Sequence, residues 1–277
     1  MELRAEDIVE ILTPQLLKTW LKNPLAKAMY EAACTDQEGI LLKFKKPWSE
    51  EESDAYYNVP KNPTNPLIDP LELAEIVRQC IDDALTEWTG TSDDGTAKQM
   101  IACLPLFLEM SKYLPQVNPS KEYKQAFRGS SFRMTKLMYF VRKTKVNDWK
   151  PTNINGITMM VYTGPAKNQF TYKPHRAVQS WSVSKEAASS FGNAIIATSL
   201  DKTFFFDPEF MAQYGYDYEK ETIHFGKQPM KVALLINKND WMDFRAGTFR
   251  ANADLTETES DTTQISDDEG TLTLPQL

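Results

Sequence analysis

Histidine and cysteine are scarce in this sequence: only His175 and His224, and only Cys34, Cys80 and Cys103. Neither histidine has a companion at ligand spacing, and the cysteines follow no metal or redox spacing, so neither a metal site nor a Cys–His nucleophile pair is expected. Buried free thiols in a reducing cytosol are the expected outcome. Glycine-rich phosphate loops are missing as well. There is no Gly-x-Gly-x-x-Gly and no Walker-type lysine loop, which disfavours a Rossmann or P-loop mode of nucleotide binding. No apolar run approaches a membrane span; the best, Ile101 to Met110, is short and interrupted by Pro105. The first residues lack the basic-then-apolar layout of a secretion signal, so a cytoplasmic location is expected.

Lysine and arginine are absent after Arg250, whereas seven acids lie between Asp254 and Glu269. Those seven match the whole net charge of −7, which leaves residues 1–250 formally neutral. A neutral body offers no broad basic field for a nucleic-acid backbone, so no nucleic-acid partner is expected, and no membrane partner. Residues 251–277 read as an acidic disordered tail.

With 277 residues, 42% of them hydrophobic and 25% charged, the chain is long enough to bury a core without disulfide or metal staples. The first part reads as a helical region, residues 1–115. Thr13-Pro14, Asn23-Pro24 and Asp69-Pro70 each place a capping side chain before a proline at the first helical position. Leu73, Ile76, Val77, Cys80, Ile81, Leu85 and Trp88 then recur at helical spacing, and another helix is expected from Thr96 to Tyr113, kinked near Pro105. Between these helices, Lys46 to Pro66 reads as a long surface excursion. Pro115, Asn118 and Pro119 mark a boundary.

Residues 116–250 have a different texture. Short β-rich runs are expected at Ile157 to Tyr162, Ala177 to Ser182, Asn193 to Thr198, Thr222 to Phe225 and Val232 to Ile236. Ser184 reads as the cap of a short helix with Ala187, Ala188 and Phe191 on its buried face and Gly192 at its end. The whole is an α+β protein, with a mixed β-sandwich of two small sheets following the helices.

Three local patterns in this region carry chemistry. They are Ala126-Phe127-Arg128-Gly129, then Val178-Gln179-Ser180-Trp181-Ser182, then Tyr218-Glu219-Lys220-Glu221-Thr222-Ile223. In order and neighbourhood they resemble the Arg–Ser–Glu class of mono-ADP-ribosyltransferases, over roughly residues 123 to 240. That family includes arginine-modifying bacterial toxins, vertebrate ecto-enzymes and phage enzymes that modify host proteins. The resemblance implies an ADP-ribosyltransferase-like catalytic domain, NAD as co-substrate, no metal, and a target protein as partner. A phage origin would place the chain in the host cytoplasm or the virion.

The chemistry implied by the resemblance suits these residue types. Breaking the bond between nicotinamide and ribose leaves a cationic, oxocarbenium-like sugar, and a fixed carboxylate beside it stabilises that charge. By resemblance Glu221 takes this role, and Glu219 orients an arginine nucleophile and accepts its proton. If both lie on one strand, their spacing of two puts both carboxylates on one face. Arg128 is expected to pair with the NAD pyrophosphate, and Gly129 to permit close approach of the ligand. Ser180 is expected to hold the Glu221 rotamer, with Ser182 beside it on the cofactor-binding strand. Trp181 points to the opposite face and into the core. Tyr216 and Tyr218 lie on the loop that recognises the protein target in that family.

Two alternatives stay open at this stage. Water as acceptor would make the protein an NAD glycohydrolase, and loss of the chemistry would leave a binding or structural module, such as a viral particle component.

Overall fold

The computed structural model of this protein describes residues 2–41, 69–91, 93–201 and 203–248. The excursion at 46–66 and the acidic segment 251–277 lie outside the described residues.

Among the described residues, five helices open the chain, and three of them start at a proline. Helices α1 (Ala5–Ile11), α2 (Pro14–Trp20), α3 (Pro24–Leu41), α4 (Pro70–Thr91) and α5 (Asp94–Tyr113) form a layer. Thr13 Oγ1 accepts from the Leu16 amide at 3.1 Å, Asn23 Oδ1 from Leu25 at 2.9 Å and Asp69 Oδ1 from Leu71 at 2.7 Å. These caps satisfy amide groups that a helix start leaves orphaned, and each is worth about 1 kcal/mol. The expected start of α5 at Thr96 moves forward, because Asp93 is the cap and accepts from the Thr96 amide. Pro105 is accommodated inside this helix.

A 3₁₀ turn at Pro115–Val117 leads into the strands β1 (Gln125–Ser130), β2 (Trp149–Ile154), β3 (Ile157–Tyr162), β4 (Phe170–Tyr172), β5 (Val178–Ser182), β6 (Ala194–Ser199), β7 (Phe204–Phe205), β8 (Glu221–Phe225) and β9 (Met230–Asn237). Helices α6 (Met134–Lys143), α7 (Lys185–Ala188), α8 (Pro208–Met211) and α9 (Lys238–Ala246) lie between and after them. The strands pair in the order β2-β3-β9-β6-β1-β5-β8-β7, with β4 also on β9, and every pairing is antiparallel. Instead of two separate sheets, one path runs throughout. Its narrowest junction is β1 with β5, where only Phe127 faces Ser182.

The helical layer and the sheet share a core. Leu85, Trp88 and Phe107 of the helices cluster with Val178, Phe205, Ile223 and Phe225 of the strands and with Phe206 just after β7. Phe107 meets Phe206 edge-to-face at 5.0 Å, a contact worth about 1 kcal/mol beyond its buried area. All three cysteine side chains are buried in this same core. Burial pushes the Cys103 thiol up to about 12, far from the thiolate needed for reactivity. A second core, containing Trp149, Phe170, Trp181, Phe204 and Leu234, fills the opposite side under α6 and α9.

Candidate active site

All five residues of β8 are buried, because this strand lies between β5 and β7 with cores on both sides. Alternation puts Glu221, Ile223 and Phe225 on one face. Ile223 and Phe225 pack in the helical core, so the carboxylate of Glu221 is carried beneath α4. Glu221 is only 8% exposed, and there the Trp88 indole Nε1–H donates to its Oε1 at 3.1 Å.

The β5–β8 register sets Ser182 opposite Glu221 and Ser180 opposite Ile223, so both serines share the face of the carboxylate. Burial is the largest influence on Glu221 and pushes its pKa up. Hydrogen bonds from the Ser180 hydroxyl and from Trp88 oppose this, the Glu219 charge adds to it, and the Arg128 charge opposes it. Arg128, on β1, reaches across to donate Nη1–H to the main-chain carbonyl of Ser180. Burial pushes the Tyr172 phenol up, and the nearby Arg128 charge opposes this. The buried Nε–H of Arg128 finds no acceptor among the described residues. Arg128, Ser180 and Glu221 are thus brought together from three strands. The Ser180 hydroxyl acts on the Glu221 carboxylate, whereas the charged groups acting on His175 are Arg128, Arg176 and Asp94.

Glu219 reaches the site by a route other than strand alternation. It ends a 3₁₀ turn, Asp217–Glu219, and Lys220 then adopts a left-handed conformation with φ 46° before β8 begins. A non-glycine residue there is strained by about 1–2 kcal/mol. The two carboxylates therefore do not share one strand face, because the chain turns between them. What keeps Glu219 close is Ser182, whose hydroxyl donates to the Glu219 carbonyl at 2.6 Å and accepts from the Ser184 amide at 2.9 Å. Ser182 is thus committed to the loop.

The close approach expected at Gly129 is made by the chain itself. A Cβ there would lie 2.1 Å from the Phe191 carbonyl oxygen and 2.3 Å from that of Ala188. Phe191, expected on the buried face of α7, is 52% exposed, because α7 ends at Ala188 and the following turn swings the ring outward. Gly192, with φ 73°, follows as expected. Trp181 is buried in the second core, as its place in β5 requires. Tyr216 and Tyr218 are 64% and 68% exposed, with ring centroids 5.5 Å apart.

Comparison with protein-family models, curated proteins and solved structures finds no match to this chain.

Sequence reasoning missed the contribution of α4. Trp88 belongs to an apolar helical stripe and read only as core. A buried indole N–H nevertheless needs an acceptor, and that was the available signal. Next to it, Thr89 Oγ1 donates to the Tyr214 carbonyl at 2.6 Å, and the Tyr214 hydroxyl donates to Asp82 Oδ1 at 2.7 Å. Charge, too, is less even than its sum. The exposed side of α6 carries Lys136, Arg142 and Lys143 around Tyr139, and no acid occurs between Glu122 and Asp148. Among the described residues, no group of His, Cys, Asp and Glu could hold a metal, and no helix is long and apolar enough to cross a membrane.

Proposed function

We propose that this chain is an NAD-dependent protein mono-ADP-ribosyltransferase that moves ADP-ribose to an arginine side chain of a target protein. One observation carries the reading: Arg128 of β1 donates to the Ser180 carbonyl of β5, and both residues act on the buried Glu221 carboxylate of β8, with the Glu219 charge beside it. We read residues 116–250 as an ADP-ribosyltransferase-like domain working in the cytoplasm, that of the host if the chain is phage-encoded.

In the proposed reaction the glycosidic bond to nicotinamide breaks, and nicotinamide leaves with the bonding pair as a neutral molecule. Glu221 accepts a hydrogen bond from a ribose hydroxyl and stabilises the positive charge that develops on the sugar. A guanidinium nitrogen of the target forms the new bond to the ribose carbon, and its proton passes to Glu219. A guanidinium has five N–H donors, so Arg128 can hold the Ser180 carbonyl and still offer donors to a pyrophosphate.

The test is incubation of the protein and of Glu221→Gln with labelled NAD and bacterial lysate. A labelled protein band lost in the variant supports the reading, and mass spectrometry then identifies the acceptor side chain. Free ADP-ribose without a labelled band favours a glycohydrolase. Absence of both turnover and NAD binding sinks the enzymatic reading and leaves a binding or structural module.

A further inference from the structure

The residues that act on Glu221 include one from outside the strands, and the same helical turn also grips the neighbouring loop. Trp88 is 1% exposed and bonds the carboxylate at 3.1 Å. One residue later, Thr89 bonds the Tyr214 carbonyl at 2.6 Å, and a Cβ on Gly215 would lie 3.0 Å from the Thr89 Cβ. Two turns earlier on α4, Asp82 takes the Tyr214 hydroxyl at 2.7 Å. From Tyr214 the chain runs through Tyr216, Tyr218 and Glu219 to Glu221, so α4 holds both ends of this segment.

We propose that the last turn of α4 is a positioning element of the active site, with the Trp88 indole fixing the Glu221 carboxylate and Thr89 fixing the loop that carries Glu219. This rests on the transferase reading of Glu221, and it gives the helical region a direct part in the chemistry. The physical reason is orientation. A carboxylate stabilises a developing charge only if its oxygens are already placed, and a short helix-borne donor places them at no cost during the reaction. A hydrogen bond to an ionised group also favours that ionised form, and Glu221 is useful only when ionised.

The experiment compares the full chain with Trp88→Phe, which removes the donor and keeps an aromatic filler, and with Thr89→Val, which removes the hydroxyl at nearly constant shape. The readouts are the Glu221 carboxyl titration by carbon-13 NMR, assigned with Glu221→Gln, the thermal midpoint, and kcat and KM for NAD. Trp88→Phe is expected to raise the Glu221 titration midpoint and to lower kcat about tenfold or more, with KM for NAD little changed. Thr89→Val is expected to leave that titration in place and to cut transfer to protein about fivefold. A folded Trp88→Phe with an unshifted Glu221 titration overturns the proposal, as does a loss of kcat that follows thermal stability alone in both variants. If the unaltered chain never turns over NAD, the transferase reading falls, and the titration still decides whether Trp88 governs Glu221.

Discussion

The Ser182 hydroxyl sits between two loops, donating to the Glu219 carbonyl at 2.6 Å while accepting from the Ser184 amide at 2.9 Å. Ser182→Ala leaves a part-buried carbonyl and an amide without that partner, which costs about 1–3 kcal/mol. The loss is expected to fall on the Glu219 side of the chemistry. Urea unfolding should show the lower stability, and the ratio of protein transfer to NAD hydrolysis should drop. An unchanged ratio in a destabilised variant would mean that Ser182 serves stability only.

Gly129 lies on β1 against the backbone that leaves α7. Because an added methyl would sit 2.1 Å and 2.3 Å from two backbone oxygens, no side-chain rotation can relieve Gly129→Ala. The strand and the turn must separate, and a loss of about 3 kcal/mol or more is expected, at the upper end for overpacking. Thermal unfolding measures it. A midpoint within a few degrees of the parent would show that the turn after α7 can move aside.

Much of the fold was legible because local chemistry and periodicity agree. Thr13, Asn23 and Asp69 cap the helices they mark, and the run from Ile157 to Tyr162 is a strand over that whole range. Arg128, Ser180 and Glu221 were legible as a group by order along the chain. Other features depend on packing that no local pattern encodes. Lys220 turns left-handed although nothing about lysine favours it, and so moves Glu219 off the strand. The Phe191 ring points outward because the backbone around it is pressed against Gly129. Trp88 and Glu221 are 133 positions apart, and only docking of the helical layer onto β8 joins them.

The titration of Glu221 makes a signed prediction. Burial raises its folded-state pKa above the ordinary value near 4.5 that it has when unfolded. Between those two values the folded state binds more protons than the unfolded state, so the contribution of Glu221 to stability declines as pH rises through that window. The full penalty applies above the folded pKa. Glu221→Gln removes the charge, so the variant should be more stable than the parent at neutral pH, and the gap should close as pH falls through the window. Urea unfolding from pH 4 to pH 8 checks this, and a gap independent of pH would exclude Glu221 as its source. Activity should fall by about 10²–10³ in the same variant, since a preorganised electrostatic group is lost.

Asp94 and Arg176 also join the helical region to the strand region, with Nε and Oδ1 2.9 Å apart, but Asp94 is 69% exposed. Water and salt screen such a pair, which is typically worth under about 1 kcal/mol. Asp94→Asn is therefore expected to change stability by less than that and to leave NAD turnover intact. A large loss would show that this bridge, rather than the turn of α4 at Trp88 and Thr89, carries the coupling between helices and site.

Tyr216 and Tyr218 present two tilted rings to solvent just before Glu219. Exposed aromatic area of this kind is costly in water and gains when a partner surface covers it, which is why tyrosine recurs at binding hot spots. Replacing both with serine should leave the group of Arg128, Ser180 and Glu221 undisturbed, because neither ring contributes to it. NAD hydrolysis should then persist while labelling of the target protein falls by about tenfold or more, the effect of losing one to two hot-spot contacts. Equal loss of both activities would instead place the tyrosines in NAD binding. Retention of both would move target recognition to another surface, of which the basic side of α6 around Tyr139 is the next to vary.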